Sequence, residues 1–218
     1  MVDLIHGLRA ERVRANLERV REEIDATGRG PREVEILAAV KYVGVGDLHA
    51  LADGGIELVG ENRAQELVAK AEGDGKRFTW DFIGHLQSRK VRQVLPYVRY
   101  IHSVQSDSVL DQLARHASPD TEVLIEVNVA GESGKSGIAP EKLPAFLERC
   151  PVTVVGLMTM PPLASSPEQS RPHFVALREL ATRHGLQHLS MGTSQDYLVA
   201  VQEGATIIRL GKTLYGAP

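Results

Sequence analysis

Eight short, uninterrupted apolar runs, separated by stretches with helix signals, constrain this chain more than any other feature. They fall at roughly 35–41, 57–60, 79–84, 99–103, 122–129, 152–158, 187–190 and 205–210. Ile36-Leu37-Ala38-Ala39-Val40 shows the type: it is continuous rather than alternating, as a strand covered on both faces should be. Between the runs, Ser106 and Asp107 precede Leu110 and Leu113, and a helical stretch from Glu141 to Arg149 follows Pro140. Ser166-Pro167-Glu168-Gln169 reads as a capping box with proline at the first helical position, opening a helix that ends near Gly185. Thr193, with Asp196 three residues on, predicts one more helix start, closed by Gly204.

Strands alternating with helices call for a parallel sheet with crossover connections, and eight strands is the number that closes a barrel. Spacing alone would also allow an open doubly wound sheet. The fold expected is α/β, a (β/α)8 TIM-type barrel with an extra N-terminal helix. That helix is predicted over 3–25, where Leu4, Leu8, Val13, Leu17, Val20 and Ile24 recur mostly every three or four residues. Thr27, Gly28, Gly30 and Pro31 would stop it. Nothing resembling a linker or repeat divides the chain, so residues 1–218 are expected to form one domain.

Composition removes several classes of function. A formal net charge of −3 gives no electrostatic reason to bind nucleic acid. The one cysteine, Cys150, excludes an internal disulfide and a multi-cysteine zinc site. Arg9, Glu11, Arg12 and Arg14 come too early for a secretory signal, and no apolar run nears the ~18 residues of a membrane helix. A cytoplasmic protein is expected, with no membrane partner.

In a barrel of this kind, chemistry collects at the C-terminal ends of the strands. Those ends carry Lys41, Glu61 with Asn62, His85 with Gln87, His102 with Ser103, Asn128, Met158 with Thr159, Ser190 with Met191, and Arg209 with Gly211. Lys41 follows five apolar residues. A lysine desolvated there becomes an amine nucleophile toward aldehydes, whereas one whose ammonium reaches solvent does not. Position alone leaves both open. Ser190 through Ser194 runs into the expected helix start, and Gly211-Lys212-Thr213 follows the last strand. Small residues before a helix N-terminus present free N–H groups to anions, and barrels often bind phosphate with the loops after strands seven and eight. Arg209, two residues before Gly211, shares its face of the strand.

One motif fails. Gly131 through Gly137 resembles a nucleotide-binding P-loop, but the first glycine position holds Val129, and Gly137 and Pro140 follow where a helix should open. Lys135 in this loop is a candidate second amine on the same rim as Lys41.

The stretch Trp80 through Lys90 (WDFIGHLQSRK) resembles the signature of the pyridoxal phosphate homeostasis proteins, whose fold is similar to the N-terminal barrel of alanine racemase. Gly60-Glu61-Asn62, His102-Ser103-Val104, Asn128 with Gly131 to Gly137, Gly156-Leu157-Met158, the block Leu189 to Ser194 and Ile208-Arg209-Leu210-Gly211 extend the likeness over nearly the whole chain. The resemblance implies pyridoxal 5′-phosphate as cofactor, held as an internal aldimine on Lys41. It implies phosphate contacts from Ser194, Gly211 and backbone near Thr213, ring contacts from Asn62 and Met191, and Arg209 near the pyridine nitrogen. Asp81, Lys212 and Tyr42 depart from the family pattern, which usually has histidine, threonine and a small polar residue there. The function implied is cofactor homeostasis by buffering or delivery to apo-forms of pyridoxal phosphate enzymes, without turnover of its own. The alternative is a racemase-like enzyme, which would need a second acid or base that alanine racemase draws from a separate domain and a partner subunit.

Overall fold

The computed structural model describes residues 4–30, 33–163 and 165–216. Each apolar run forms a strand: β1 Glu35–Ala39, β2 Leu58–Glu61, β3 Thr79–Phe82, β4 Tyr100–Val104, β5 Glu122–Glu126, β6 Thr153–Met158, β7 His188–Thr193 and β8 Ile207–Leu210. All pair in parallel and in sequence order, and β8 returns to β1 with Leu37 beside Arg209. The sheet is therefore a closed barrel, and the open arrangement is excluded.

The apolar residues divide into two layers. Leu37, Leu58, Tyr100, Leu124, Met158 and Ile207 fill the barrel interior. A larger layer, including Val59, Ile101, Ile125, Leu157, Leu177 and Ile208, packs between the sheet and the surrounding helices. Both faces of the strands are covered, which is why their sequences are unbroken apolar runs. Among the described residues no helix is long and apolar enough to cross a membrane.

The N-terminal helix spans Ala10–Asp25 and buries Val13, Leu17, Val20 and Ile24. It is shorter than the predicted 3–25. Gly7 turns the chain at φ +67, and Asp47 Oδ1 accepts the Leu8 N–H at 3.0 Å, so helical geometry begins only beyond them. Leu4 and Leu8 precede the helix, and Ile5 instead pairs with Val43 beside the end of β1. Asp3 and Pro31, the limits of that expectation, lie outside the described residues.

Two other helix starts differ from expectation. Ser166 makes no side-chain cap. A 3-10 turn, Pro167–Ser170, precedes the helix Arg171–Arg183, and Gly185 follows at φ +66. After β7 the helix begins at Tyr197 rather than near Thr193, because Asp196 Oδ1 accepts the Thr193 N–H at 2.8 Å and holds a turn between them. Near its end the register of β7 shifts between Ser190 and Thr193, where Gly192 has φ +90. A Cβ there would meet Ala200, so glycine also lets the following helix close onto the strand.

Candidate functional site

A cavity of about 490 Å³ opens at the C-terminal mouth of the barrel, within the range of small-molecule sites. Its walls bring together Lys41, Asn62, Ser194, Arg209 and Gly211, with Lys212 beside them. Five of the seven residues expected at the site thus line one space.

Lys41 stands two residues beyond β1 and is exposed, so the desolvated environment considered from sequence is not formed. Its Nζ lies 4.6 Å from the centre of the Tyr42 ring, a cation–π distance. Tyr42 itself accepts the Ile5 N–H at 2.7 Å through its carbonyl, which draws the N-terminal segment into the cavity wall.

Asn62 follows β2. Glu61 Oε1 accepts its N–H at 2.7 Å and that of Arg63 at 3.2 Å. The other carboxylate oxygen of Glu61 meets Lys70 Nζ, which also donates to the Val40 carbonyl at 2.8 Å. Glu61 is therefore not a cavity group; it fixes the backbone on which Lys41 and Asn62 stand. Gly84 adds a steric condition, since any side chain there would run into the Asn62 backbone. The Oδ1 of Asn62 is buried without a hydrogen-bond partner, an acceptor that a ligand hydroxyl could satisfy.

Opposite, the ends of β7 and β8 make a cradle. Ser194 Oγ lies 3.4 Å from the backbone nitrogens of both Gly211 and Thr213. Contacts this long are weak, and an anion entering the cradle would take over both N–H groups and the hydroxyl. Thr213 contributes backbone only and its side chain does not line the cavity. Lys212 also lines the cavity, bringing a cation to this wall.

Met191, expected at the ring, does not line the cavity. It is fully buried in the layer between sheet and helices. Successive strand residues face opposite ways, and its neighbour Ser190 points into the barrel, where it meets Arg209. The methionine at the cavity is Met160, whose sulfur lies 3.9 Å from Arg209 Nη2. Arg209 is buried, donating to Ser190 Oγ at 2.6 Å and to the Thr159 carbonyl at 2.9 Å. Burial lowers its pKa to about 10, which leaves it charged at neutral pH.

Ile5, Met160 and Tyr215 also line the cavity without having carried a sequence signal. Ile5 sits in a segment that periodicity assigns to a helix. Met160 lies beyond β6. Tyr215 comes from the short terminal helix Lys212–Tyr215 and donates its hydroxyl to the Ala39 carbonyl at 3.3 Å. Burial, with the Glu61 carboxylate nearby, raises the Tyr215 phenol above its ordinary range.

The remaining strand-end residues lie elsewhere. His85 and Gln87 line an adjoining cavity of about 190 Å³ that shares Asn62. Asn128 Nδ2 bonds the Glu132 carbonyl at 2.9 Å and so folds the glycine-rich loop. No helix opens at Ser136, in keeping with rejection of the P-loop. Lys135 pairs with Glu132 at 3.6 Å and does not line the cavity. His102 and Ser103 are buried and do not line the cavity; Ser103 donates its hydroxyl to the carbonyl of Gly84, which does.

A family model described as the alanine racemase N-terminal domain matches residues 8–218. A relative from Aquifex aeolicus, called pyridoxal phosphate homeostasis protein, is 40% identical over 94% of this chain and 96% of its own. One of the same name from Pseudomonas aeruginosa is 36% identical, covering 95% of each. Among solved structures, PipY of Synechococcus elongatus with PLP bound is 29% identical, with a TM-score of 0.79 over 94% of this chain and 100% of that one.

Proposed function

This chain belongs to the pyridoxal phosphate homeostasis proteins, within the alanine racemase N-terminal domain family, and from that membership we propose that it binds pyridoxal 5′-phosphate at the barrel mouth and acts as a carrier of it. The observation that carries the reading is the convergence, in one cavity, of an accessible lysine amine, an unpartnered amide oxygen and a backbone anion cradle. Each matches a different part of one molecule. Pyridoxal 5′-phosphate supplies an aldehyde that condenses with amines, on an aromatic ring bearing a hydroxyl and a phosphate.

Lys41 is the amine that captures the aldehyde, with loss of water. Asn62 Oδ1 accepts from the ring hydroxyl. Ser194 Oγ and the N–H groups of Gly211 and Thr213 hold the phosphate, and Lys212 contributes a charge to it. Arg209 would meet the ring, while Ile5, Ile83 and Met160 supply apolar wall. Retention and release, rather than turnover, is the role supported by the shared name of the relatives, which align over nearly their full length. Apo-forms of enzymes that use the cofactor would be the recipients.

Borohydride reduction of the loaded protein followed by peptide mapping tests the site. The pyridoxyl group is expected on Lys41, with the visible band absent from Lys41→Ala. An adduct elsewhere, or an unaltered band in Lys41→Ala, would overturn the assignment.

A further inference from the structure

A file of hydrogen-bonded polar groups crosses the barrel interior, from the cavity to the opposite mouth. Arg209 Nη1 donates to Ser190 Oγ at 2.6 Å, and Ser190 Oγ lies 2.8 Å from His102 Nδ1. His102 Nε2 lies 3.1 Å from Asp81 Oδ2. Asp81 in turn takes two N–H groups of Arg99 at 3.1 and 2.8 Å and the Tyr100 N–H at 3.2 Å. Arg99 ends the file at the far surface, paired with Glu35 at 2.6 Å. Arg209, Ser190, His102 and Asp81 are all buried, the last three completely.

The chemistry of the end groups fixes the direction of every bond between them. A guanidinium only donates and a carboxylate only accepts. With a carboxylate against Nε2, the imidazole must carry its proton there, because two lone pairs would otherwise face each other. In the neutral ring Nδ1 is then an acceptor, so the Ser190 hydroxyl donates to it and turns its own lone pairs toward Arg209. Burial holds His102 below the ordinary imidazole range, consistent with a neutral ring. Burial alone would raise the Asp81 carboxyl, but the bonds from His102 and Arg99 outweigh it and leave it low. A buried cation without a directly paired carboxylate is costly. The nearby charges that favour the cation are Glu126 and Asp196; Asp81, three hydrogen bonds away along the file, acts on it only through aligned dipoles that polarise one another.

We propose that Asp81, His102 and Ser190 are positioning residues for Arg209: together they fix the guanidinium toward the ring of the bound ligand and set the electrostatics that ring experiences. The proposal rests on the reading that pyridoxal 5′-phosphate occupies the cavity. It gives Asp81, 2.8 Å from a surface arginine at the far mouth, influence over a ligand with which it has no contact.

Two measurements test it. In 15N-resolved NMR of the ligand-free protein, with His102→Gln assigning the signal, the His102 ring should be neutral and protonated at Nε2. In protein loaded with pyridoxal 5′-phosphate, Ser190→Ala and Asp81→Asn should displace the visible absorption maximum while borohydride still labels Lys41. Ser190→Ala removes one oxygen and keeps the test available if Asp81→Asn fails to fold. An Nδ1-protonated His102, or a band in Ser190→Ala coincident with wild type, would overturn the proposal. Wild-type protein that takes up no cofactor would instead defeat the functional reading beneath it.

Discussion

Lys70 Nζ and Glu61 Oε2 meet at 2.5 Å beneath the cavity, with their side chains 2% and 0% exposed. Lys70 projects from the helix Ala64–Glu72, and its second bond, to the Val40 carbonyl, binds the end of β1 to the end of β2. The two residues expected to meet the cofactor from these strands, Lys41 and Asn62, are the immediate neighbours of the bonded Val40 and Glu61. Such a pair yields little net stability against an apolar substitute of similar shape, but removing one partner strands the other charge.

Lys70→Met is therefore expected to destabilise the fold by about 3–5 kcal/mol, whereas the double variant Lys70→Met with Glu61→Leu should recover part of that loss. Urea unfolding of the two singles and the double measures the coupling. A purely additive result would mean that the pair does not act as a unit.

The buried file gives the protein two separate sensitivities to acid. His102 is held neutral by burial, so the unfolded chain takes up a proton that the folded chain refuses. Stability should fall as the pH drops below roughly 6.5, by up to about 1.4 kcal/mol per pH unit. Asp81 is held low, so its contribution is complete above roughly pH 4 and is lost as the pH falls through its lower folded value. Urea denaturation of wild type and His102→Asn across pH 8 to 5 would show the first loss in wild type only. Parallel slopes in the two proteins would count against a neutral buried ring.

The barrel was legible because strands covered on both faces leave no room for polar alternation, and each of the eight runs carries that mark. Lys41, Ser194, Arg209 and Gly211 were legible for a related reason: chemistry at strand ends can be found once the strands are known. Met191 was not, because the facing of β7, whose register shifts between Ser190 and Thr193, decides which residue looks into the barrel. Ile5 and Tyr215 reach the cavity by tertiary docking of the chain's two ends, which leaves no local periodicity. Asp81 was visible only as a departure from a family pattern; its partners Arg99 and His102 come from the next strand and its approach.

Protein loaded with cofactor is expected to show no appreciable racemisation or transamination of alanine or serine. Among the described residues lining the cavity there is neither carboxylate nor histidine, and the buried Tyr215 phenol is a weaker acid than usual. Exchange of the Cα proton in D2O, followed by NMR, is a sensitive assay. Exchange that disappears in Lys41→Ala would place the protein among the enzymes.

The cradle formed by Ser194, Gly211 and Thr213 predicts that the phosphate, more than the ring, anchors the ligand. Each hydrogen bond to a charged group is worth about 1.5–3 kcal/mol, roughly a ten- to hundredfold change in Kd. The cradle offers two backbone N–H groups and a hydroxyl, and Lys212 adds long-range attraction. Pyridoxal lacking its phosphate should consequently bind far more weakly than the phosphorylated form, although both carry the aldehyde that Lys41 captures. Ser194→Ala should weaken the phosphorylated ligand by about tenfold and leave unphosphorylated pyridoxal nearly unaffected. Lys212→Ala should reduce the salt dependence of binding, since screening acts on the exposed charge and less on the partly buried N–H groups. Titration of both ligands against wild type and the two variants, at low and high salt, separates these contributions. Equal affinity for the two ligands in wild type would show that the ring and the lysine carry the binding and that the cradle does not hold phosphate.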